Sequence, residues 1–262
     1  MEIRNIDNEI PKNESNNTVS DNPLAPIHPF RMLVIGPSGC GKSNVVMNLV
    51  IDYLVFDKVY IYARDITEDK YKLLMDFYAM VDDEINKKIS KNSSHENGEP
   101  WQTAVIENVD NDSTIIDTND LDENLRNLVI LDDLVSLGPR KQRKVEDLFI
   151  RCRKRNCSVI YIGQMFYSIP RSIRLQANYV ILFSVCDGNE IQQLSRTFRL
   201  KIGGDEFRRL YCEIVEEPYS FMYIDVNATD LPLHIRKGFD GILDMSSFIR
   251  GKPRPSKKGK KN

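Results

Sequence analysis

Short apolar runs alternate along the chain with longer stretches of helical periodicity. Runs without polar alternation are typical of strands that are buried on both faces of a sheet. Such runs predict strands at 30–35, 57–63, 127–133, 158–163, 179–184 and, with a weaker pattern, 220–226. Helices are predicted over 44–50, 68–91, 139–155, 188–200 and 203–214. This order predicts an α/β fold whose central sheet is mostly parallel and has helices on both faces.

A glycine-rich motif follows the first predicted strand and precedes the first predicted helix. It matches G-x-x-x-x-G-K-[ST], the Walker A or P-loop pattern, in the context that this phosphate cradle requires. Backbone N–H groups of such a turn and the start of the helix hold a polyphosphate. The predicted nucleotide-binding residues are Gly36, Pro37, Ser38, Gly39, Cys40, Gly41, Lys42 and Ser43.

Two residues of this motif have predicted roles in binding ATP and Mg²⁺. Lys42 is predicted to contact the β and γ phosphates, and the Ser43 hydroxyl to bind Mg²⁺. Cys40 fills a variable position, where a small inert side chain is one interpretation and a redox switch is the other.

Carboxylates and an amide end the next two buried strands. The run at 127–131 leads into Asp132 and Asp133, which favours a Walker B strand. Asp132 is predicted to hold Mg²⁺, and Asp133 to accept a proton from the attacking water or to orient it. Gln164 ends the following strand, where ligands bind in open parallel sheets, and is predicted to contact the γ-phosphate or that water. The structural alternatives are an Asp-rich turn and a strand-end amide that bonds only to the backbone.

Composition divides the chain into three parts. The chain has 262 residues and a net charge of −2. Its five cysteines show no metal-ligand spacing, which favours reduced thiols in an intracellular protein. Residues 1–28 are predicted to be a disordered arm; contact with a neighbouring subunit is the alternative. Residues 29–249 are predicted to form the P-loop ATPase domain. Within it, 92–124 is predicted to be an acidic surface insertion; a short strand at 101–106 and a role in docking a partner are alternatives. Residues 250–262 are predicted to be a basic disordered tail, which binds DNA, aids solubility or directs nuclear import.

Several function classes lack their sequence signals. The chain has no membrane-length apolar run, no signal-peptide pattern, no LSGGQ-like signature and no arginine-rich lid of a small nucleotide kinase. The aromatic residues of 68–91 lie at helical spacing and are interpreted as core. The order of the motifs suits the P-loop division with an extra catalytic-acid strand.

These motifs together resemble the poxvirus-type genome-packaging ATPases of the HerA–FtsK superfamily. The resemblance covers about 29–200 and includes the P-loop, the 131–133 run, the stretch at 153–158 before Gln164, and Pro170 followed by Arg174. It implies ATP hydrolysis that drives double-stranded DNA, without sequence preference, into a capsid through a ring of subunits. A capsid or portal protein is then a further partner.

The resemblance also implies roles for two arginines. Arg153 and Arg174 match arginines of the family pattern, and either is a candidate arginine finger across a subunit boundary; a surface or DNA-facing charge is the alternative. Asp133 departs from the bacterial translocases, which carry Glu at this position.

The leading hypothesis is therefore an ATP-hydrolysing translocase of double-stranded DNA. The alternatives are a captured, non-translocating NTP-binding scaffold and, third, a small-molecule kinase. The basic helix at 140–155 and the basic tail are candidate DNA contacts. A viral protein would be found in the virion or host cytoplasm, and a captured gene product in the cytoplasm or nucleus.

Overall fold

The structure is a computed structural model that describes most of the chain. The described residues are 19–92, 100–109, 115–134, 137–184, 188–198, 200 and 202–243. The basic tail at 250–262 lies outside them, as do residues 1–18 of the predicted arm and residues 93–99 and 110–114 of the predicted insertion.

The described residues form one nine-stranded sheet with the order β3-β2-β4-β5-β1-β6-β7-β8-β9. Strands β3 to β6 in this order pair in parallel, and β7, β8 and β9 pair antiparallel at one edge. The prediction of an α/β fold with a mostly parallel sheet is confirmed. The strands are β1 (Arg31–Ile35), β2 (Lys58–Ala63), β3 (Ala104–Asn108), β4 (Asn127–Asp132), β5 (Cys157–Gly163), β6 (Tyr179–Phe183), β7 (Phe221–Asp225), β8 (Ile235–Lys237) and β9 (Gly241–Ile242).

Helices cover both faces of this sheet. One face packs against α1 and α2 through residues such as Val46 and Leu74, and the other packs against α3 to α6 through residues such as Leu148 and Ile191. The helices are α1 (Lys42–Asn48), which continues as a π-helical turn (Leu49–Tyr53), α2 (Asp69–Asn92), α3 (Pro139–Arg151), α4 (Arg171–Gln176), α5 (Gly188–Thr197), α6 (Gly204–Ile214) and α7 (Leu231–His234). None of the helices in the described ranges is both long enough and apolar enough to cross a membrane.

The order of the parallel strands brings the sequence motifs together at the carboxyl ends of the strands, which we call the carboxyl edge of the sheet. Strand β5 lies between β1 and β4, with Ile35 beside Gly163 and Asp132 beside Ile162. Because parallel strands end at the same edge, the residues after β1, β4 and β5 are neighbours there. The extra strand between the P-loop strand and the Walker B strand is therefore β5, which ends before Gln164.

The N-terminal boundary of the domain differs from the predicted one. Val19 and His28 are buried, although both fall in the predicted disordered arm. His28 Nδ1 lies 2.7 Å from Ser158 Oγ, and its Nε2 lies 2.8 Å from Asn156 Oδ1. Polar contacts of a buried ring hold residues 19–28 against the sheet, so the arm prediction is corrected for these residues.

The predicted acidic insertion also needs a correction. Its described part contributes the edge strand β3, which pairs with β2, and four side chains of the hydrophobic core, Ala104, Val109, Ile115 and Leu121. The acidic residues of this segment outnumber its apolar residues. For this reason its composition predicted a segment at the protein surface. The strand alternative of 101–106 matches β3, shifted by a few residues.

Candidate active site

The loops at the carboxyl edge enclose a cavity of about 620 Å³ between α1 and α2. Residues from every predicted motif line it: Ser38, Gly39, Gly41, Lys42, Ser43, Asp132, Asp133 and Gln164. Gly36, Pro37 and Cys40 belong to the same loop but do not line the cavity. Further lining residues are Asn44, Ala63, Arg64, Asp65, Glu68, Lys70, Tyr71 and Tyr219. Residues far apart in the chain thus converge on a single cavity, which we call the P-loop cavity.

Three glycines of the loop occupy positions where a larger residue would be strained or would clash. Gly39 and Gly41 have φ angles of 77° and 101°, a left-handed backbone that glycine adopts readily. A Cβ at Gly36 would lie 2.6 Å from the Phe183 Cβ, closer than real carbon contacts. The Lys42 ammonium donates to the carbonyl of Pro37 at 2.8 Å, across the loop.

Ser43 and Asp132 form the centre of a hydrogen-bond network. The Ser43 hydroxyl donates to Asp132 Oδ2 at 3.1 Å, and the Tyr71 hydroxyl donates to the same oxygen at 2.5 Å. Burial, and then the nearby Asp132 charge, raises the pKa of Tyr71 above its ordinary value, so its hydroxyl stays a donor. The Lys70 ammonium lies 3.1 Å from Ser43 Oγ and 2.8 Å from Glu68.

Asp133 and Gln164 form the second polar pair of the cavity. The Gln164 amide donates to Asp133 Oδ2 at 3.1 Å, so its side chain bonds to a carboxylate rather than only to the backbone. Asp133 has a φ of 54°, which is uncommon outside glycine, and its N–H donates to Ile162 O at 3.1 Å. This backbone turn directs the side chain of Asp133 into the cavity instead of continuing β4.

The donor set at Ser43 and Asp132 fits a magnesium ion. Hydroxyl and carboxylate oxygens are hard ligands, and Mg²⁺ usually takes one or two protein ligands together with water and phosphate oxygens. No cluster of three or more His, Cys, Asp or Glu side chains that could hold a metal occurs in the described part of the chain.

The two candidate arginine fingers lie away from the P-loop cavity. Arg153 belongs to the 3₁₀ turn Cys152–Arg155, which precedes β5 at the opposite edge of the sheet. Arg174 lies on α4, where its guanidinium stands 4.8 Å from the centre of the Phe166 ring. Neither residue is among the described residues that line the P-loop cavity.

Eight lining residues were not identified from the sequence, among them Lys70 and Tyr71, which bond to Ser43 and Asp132, and Tyr219 beside Gly41. Tyr71 and Lys70 start α2, and their spacing there matches an ordinary core helix. Tyr219 lies before β7, and its ring is 73% exposed beside Gly41. Its φ of 64° is rare for an aromatic residue, and only the neighbouring Pro218 hinted at a turn.

One solved structure shares the fold of this chain at low sequence identity. A comparison with curated protein sequences gave no significant match. The DNA-packaging ATPase B204 from Sulfolobus Turreted Icosahedral Virus matches with a TM-score of 0.50 and 14% identity, over 80% of this chain and 97% of that one. The genome packaging NTPase B204 from Sulfolobus turreted icosahedral virus 2, in complex with AMP, matches with a TM-score of 0.48 and 17% identity, over 82% and 98% of the two chains.

The family assignment rests on a sequence match. The family model described as Poxvirus A32 protein matches residues 23–210, which is most of the chain. This confirms the resemblance to poxvirus-type packaging ATPases. The chain belongs to the Poxvirus A32 protein family.

Proposed function

We propose that this protein hydrolyses ATP with Mg²⁺ and uses the energy to move double-stranded DNA during genome packaging. The observation that carries the proposal is the meeting of two polar pairs, Ser43 with Asp132 and Asp133 with Gln164, beside the P-loop. Membership of the Poxvirus A32 protein family supports the packaging role, and so does the description of B204 as a DNA-packaging ATPase.

Each part of the cavity has a role in binding the triphosphate. The loop N–H groups and the Lys42 ammonium bind the β and γ phosphates. Ser43 Oγ and an Asp132 oxygen hold Mg²⁺, which neutralises phosphate charge when it is bound. Tyr71, through its bond to Asp132, fixes the orientation of that carboxylate.

The second pair serves the hydrolytic step. Gln164 donates to Asp133 Oδ2, which leaves Oδ1 to accept a proton from water as it attacks the γ-phosphorus. The leaving ADP carries its new charge at the β-phosphate, beside Lys42. The amide of Gln164 lines the same cavity, and we assign it to sense whether the γ-phosphate is present.

Tyr219 is placed to contact the base of the nucleotide. The sheet order puts β7 and β4 on opposite sides of β1, so Tyr219 and Asp133 flank opposite ends of the P-loop. The exposed ring offers an aromatic surface at the end far from the γ-phosphate.

In the proposed ring, an arginine from a neighbouring subunit contacts the bound triphosphate and stabilises the charge of the transition state. Neither Arg153 nor Arg174 lines its own cavity, which agrees with action across a subunit boundary in a ring. A finger supplied in this way contributes about 10³–10⁵ to the rate in GTPases.

The test combines particle size with ATPase rate on one preparation. A translocase should elute as an oligomer and hydrolyse ATP faster on long duplex DNA than on short duplex or none. The Lys42→Ala protein serves as the inactive control. Tight ATP binding without turnover would instead favour the NTP-binding scaffold, and phosphorylated nucleosides among the products would favour a kinase.

A further inference from the structure

A second cavity, of about 890 Å³, lies between α4 and α5 on the sheet face opposite to α1 and α2. We call it the arginine cleft. Its polar lining consists mainly of Tyr167, Arg171, Arg174, Gln192, Gln193 and Arg196. Three guanidinium groups and three amides, those of Asn189, Gln192 and Gln193, line one opening, and none of its lining residues in the described ranges is acidic.

One buried carboxylate lies beside the arginine cleft: Glu190 accepts a hydrogen bond from the N–H of Tyr167 at 3.2 Å and does not pair with the cleft's cations. Within the described ranges, no carboxylate forms a salt bridge with Arg171, Arg174 or Arg196. Two buried polar atoms in the cleft, Arg174 Nε and Gln193 Oε1, have no hydrogen-bond partner there. Burial lowers the pKa of the Arg174 guanidinium, and the adjacent Arg171 charge lowers it further. A bound anion would relieve this repulsion.

The basic helix α3 differs only in part in this respect. Arg151 is paired with Asp147 at 2.9 Å, and the Lys144 ammonium donates to the carbonyl of Ile115 at 3.1 Å. Arg155, in the turn that follows, is paired with Glu123 at 3.4 Å. Three cations predicted to contact DNA are thus bound within the protein, whereas Arg140 and Arg143 of α3 form no salt bridge within the described ranges.

The loop after β5 connects the two cavities. It begins at Gln164, which bonds to Asp133, and continues to Phe166, whose buried ring supports the Arg174 guanidinium. The next residue, Tyr167, lines the arginine cleft, and its hydroxyl donates to the carbonyl of Asn189 at 3.3 Å. Gln164, the proposed γ-phosphate sensor, is only three residues before Tyr167. A ligand that displaces Tyr167 would therefore also move Gln164.

We propose that the arginine cleft binds the phosphate backbone of duplex DNA and transmits its presence through the loop to Gln164. Arg171 and Arg174 lie three residues apart on one helical face, a spacing suited to adjacent phosphates on a strand. Guanidinium groups bind phosphates in a bidentate manner, and the amides add donors that do not read sequence. This inference rests on the proposed DNA-translocating function.

The test compares two double variants that remove equal charge from opposite faces. Arg171→Ala/Arg196→Ala empties the cleft of two cations and leaves Arg174 on its ring. Lys87→Ala/Lys88→Ala, on exposed residues of α2, is the matched control. Each is titrated with a fluorescent duplex of mixed sequence between about 50 and about 200 mM salt.

The cleft variant should bind duplex roughly tenfold more weakly for each guanidinium removed. The slope of log K against log salt should fall by about two. Basal ATPase should be unchanged, and the DNA-stimulated part should be lost at a fixed DNA concentration. Arg171→Lys/Arg196→Lys should restore the slope, because lysine still binds phosphate as a point charge.

The outcomes separate this inference from the function on which it rests. Wild-type protein that binds no duplex overturns both. Wild-type binding together with an unchanged slope in the cleft variant overturns the inference alone. An unchanged slope with a smaller particle on sizing assigns the cleft to a subunit contact, and so also overturns it.

Discussion

The P-loop cavity and the arginine cleft lie on opposite faces of one sheet and treat charge in opposite ways. In the P-loop cavity, the Lys70 ammonium has Glu68 within 2.8 Å, and the Asp132 carboxylate accepts two hydroxyl donors. In the arginine cleft, none of the lining residues in the described part of the chain is acidic.

The difference indicates different tasks. The P-loop cavity holds its reactive groups in fixed positions before a ligand binds, which is how preorganised dipoles lower a barrier. The arginine cleft has three cations that form no salt bridge within the described ranges, which suits a ligand that brings its own negative charge. Substitutions in the cavity should therefore change hydrolysis with or without DNA, whereas those in the cleft should change only its response to DNA.

The largest effect is expected from Asp133→Asn. The amide cannot accept a proton, so hydrolysis should fall by about 10²–10⁴-fold in a single turnover, with or without DNA. ATP affinity should be retained, because the phosphate-binding groups are intact. Asp65→Asn, which removes another carboxylate of the same cavity, is the control and should stay near the wild-type rate. Loss of ATP binding by Asp133→Asn would show that Asp133 is structural or metal-holding.

Lys42→Ala should remove the cation that faces the β and γ phosphates. Hydrolysis should fall by about 10²–10³-fold, and ATP affinity should fall with it, measured by calorimetry. Lys72→Ala, on the exposed side of α2, has the same charge change outside the cavity. An unchanged turnover of Lys42→Ala would refute the site.

The residues behind these two predictions were found in the sequence because they belong to motifs at the carboxyl ends of predicted buried strands. A parallel sheet carries such strand ends to one edge, so linear motifs were enough to bring Ser43, Asp133 and Gln164 together. Tyr71 reaches Asp132 from a helix 61 positions away, and nothing in its helical spacing separates it from a core residue. That contact depends on how α2 packs, which the sequence pattern does not give.

The errors in the predicted fold have a similar cause. His28 is buried because Ser158 and Asn156, both distant in the chain, satisfy its ring. Strands β8 and β9 have only three and two residues, too few for a recognisable pattern. The arginine cleft joins α4 and α5 across β6, so its three cations are scattered in the sequence.

Tyr71→Phe tests whether the network around Asp132 matters for the metal. Removing the hydroxyl leaves the carboxylate less well oriented, so half-maximal hydrolysis should need about 10–100-fold more Mg²⁺. Tyr78→Phe removes a hydroxyl from the same helix outside the cavity and is the control. Equal Mg²⁺ requirements in the two variants would contradict a positioning role for Tyr71.

Tyr219→Ala tests the proposed base contact at the other end of the P-loop cavity. Losing a stacked ring should weaken ATP binding by about tenfold, with little change in the single-turnover rate at saturation. Tyr219→Phe should bind like the wild type, since stacking needs the ring and not the hydroxyl. Triphosphate without a base should bind both the wild type and Tyr219→Ala equally, and a loss there would argue for a steric role in the loop.

The smallest effect concerns two cysteines that report on the two faces separately. Cys40 lies in the P-loop, where burial raises its pKa in spite of the nearby Lys42, while Cys212 is exposed on α6 of the opposite face. Only the thiolate is alkylated, so Cys40 should react several-fold more slowly than Cys212 near neutral pH and gain rate as pH rises toward its raised pKa. Peptide mass spectrometry after iodoacetamide measures both. ATP should slow the alkylation of Cys40 and not that of Cys212. The Cys40→Ser protein should keep its ATPase activity. Fast alkylation of Cys40 that does not respond to nucleotide would favour a redox switch over an inert side chain.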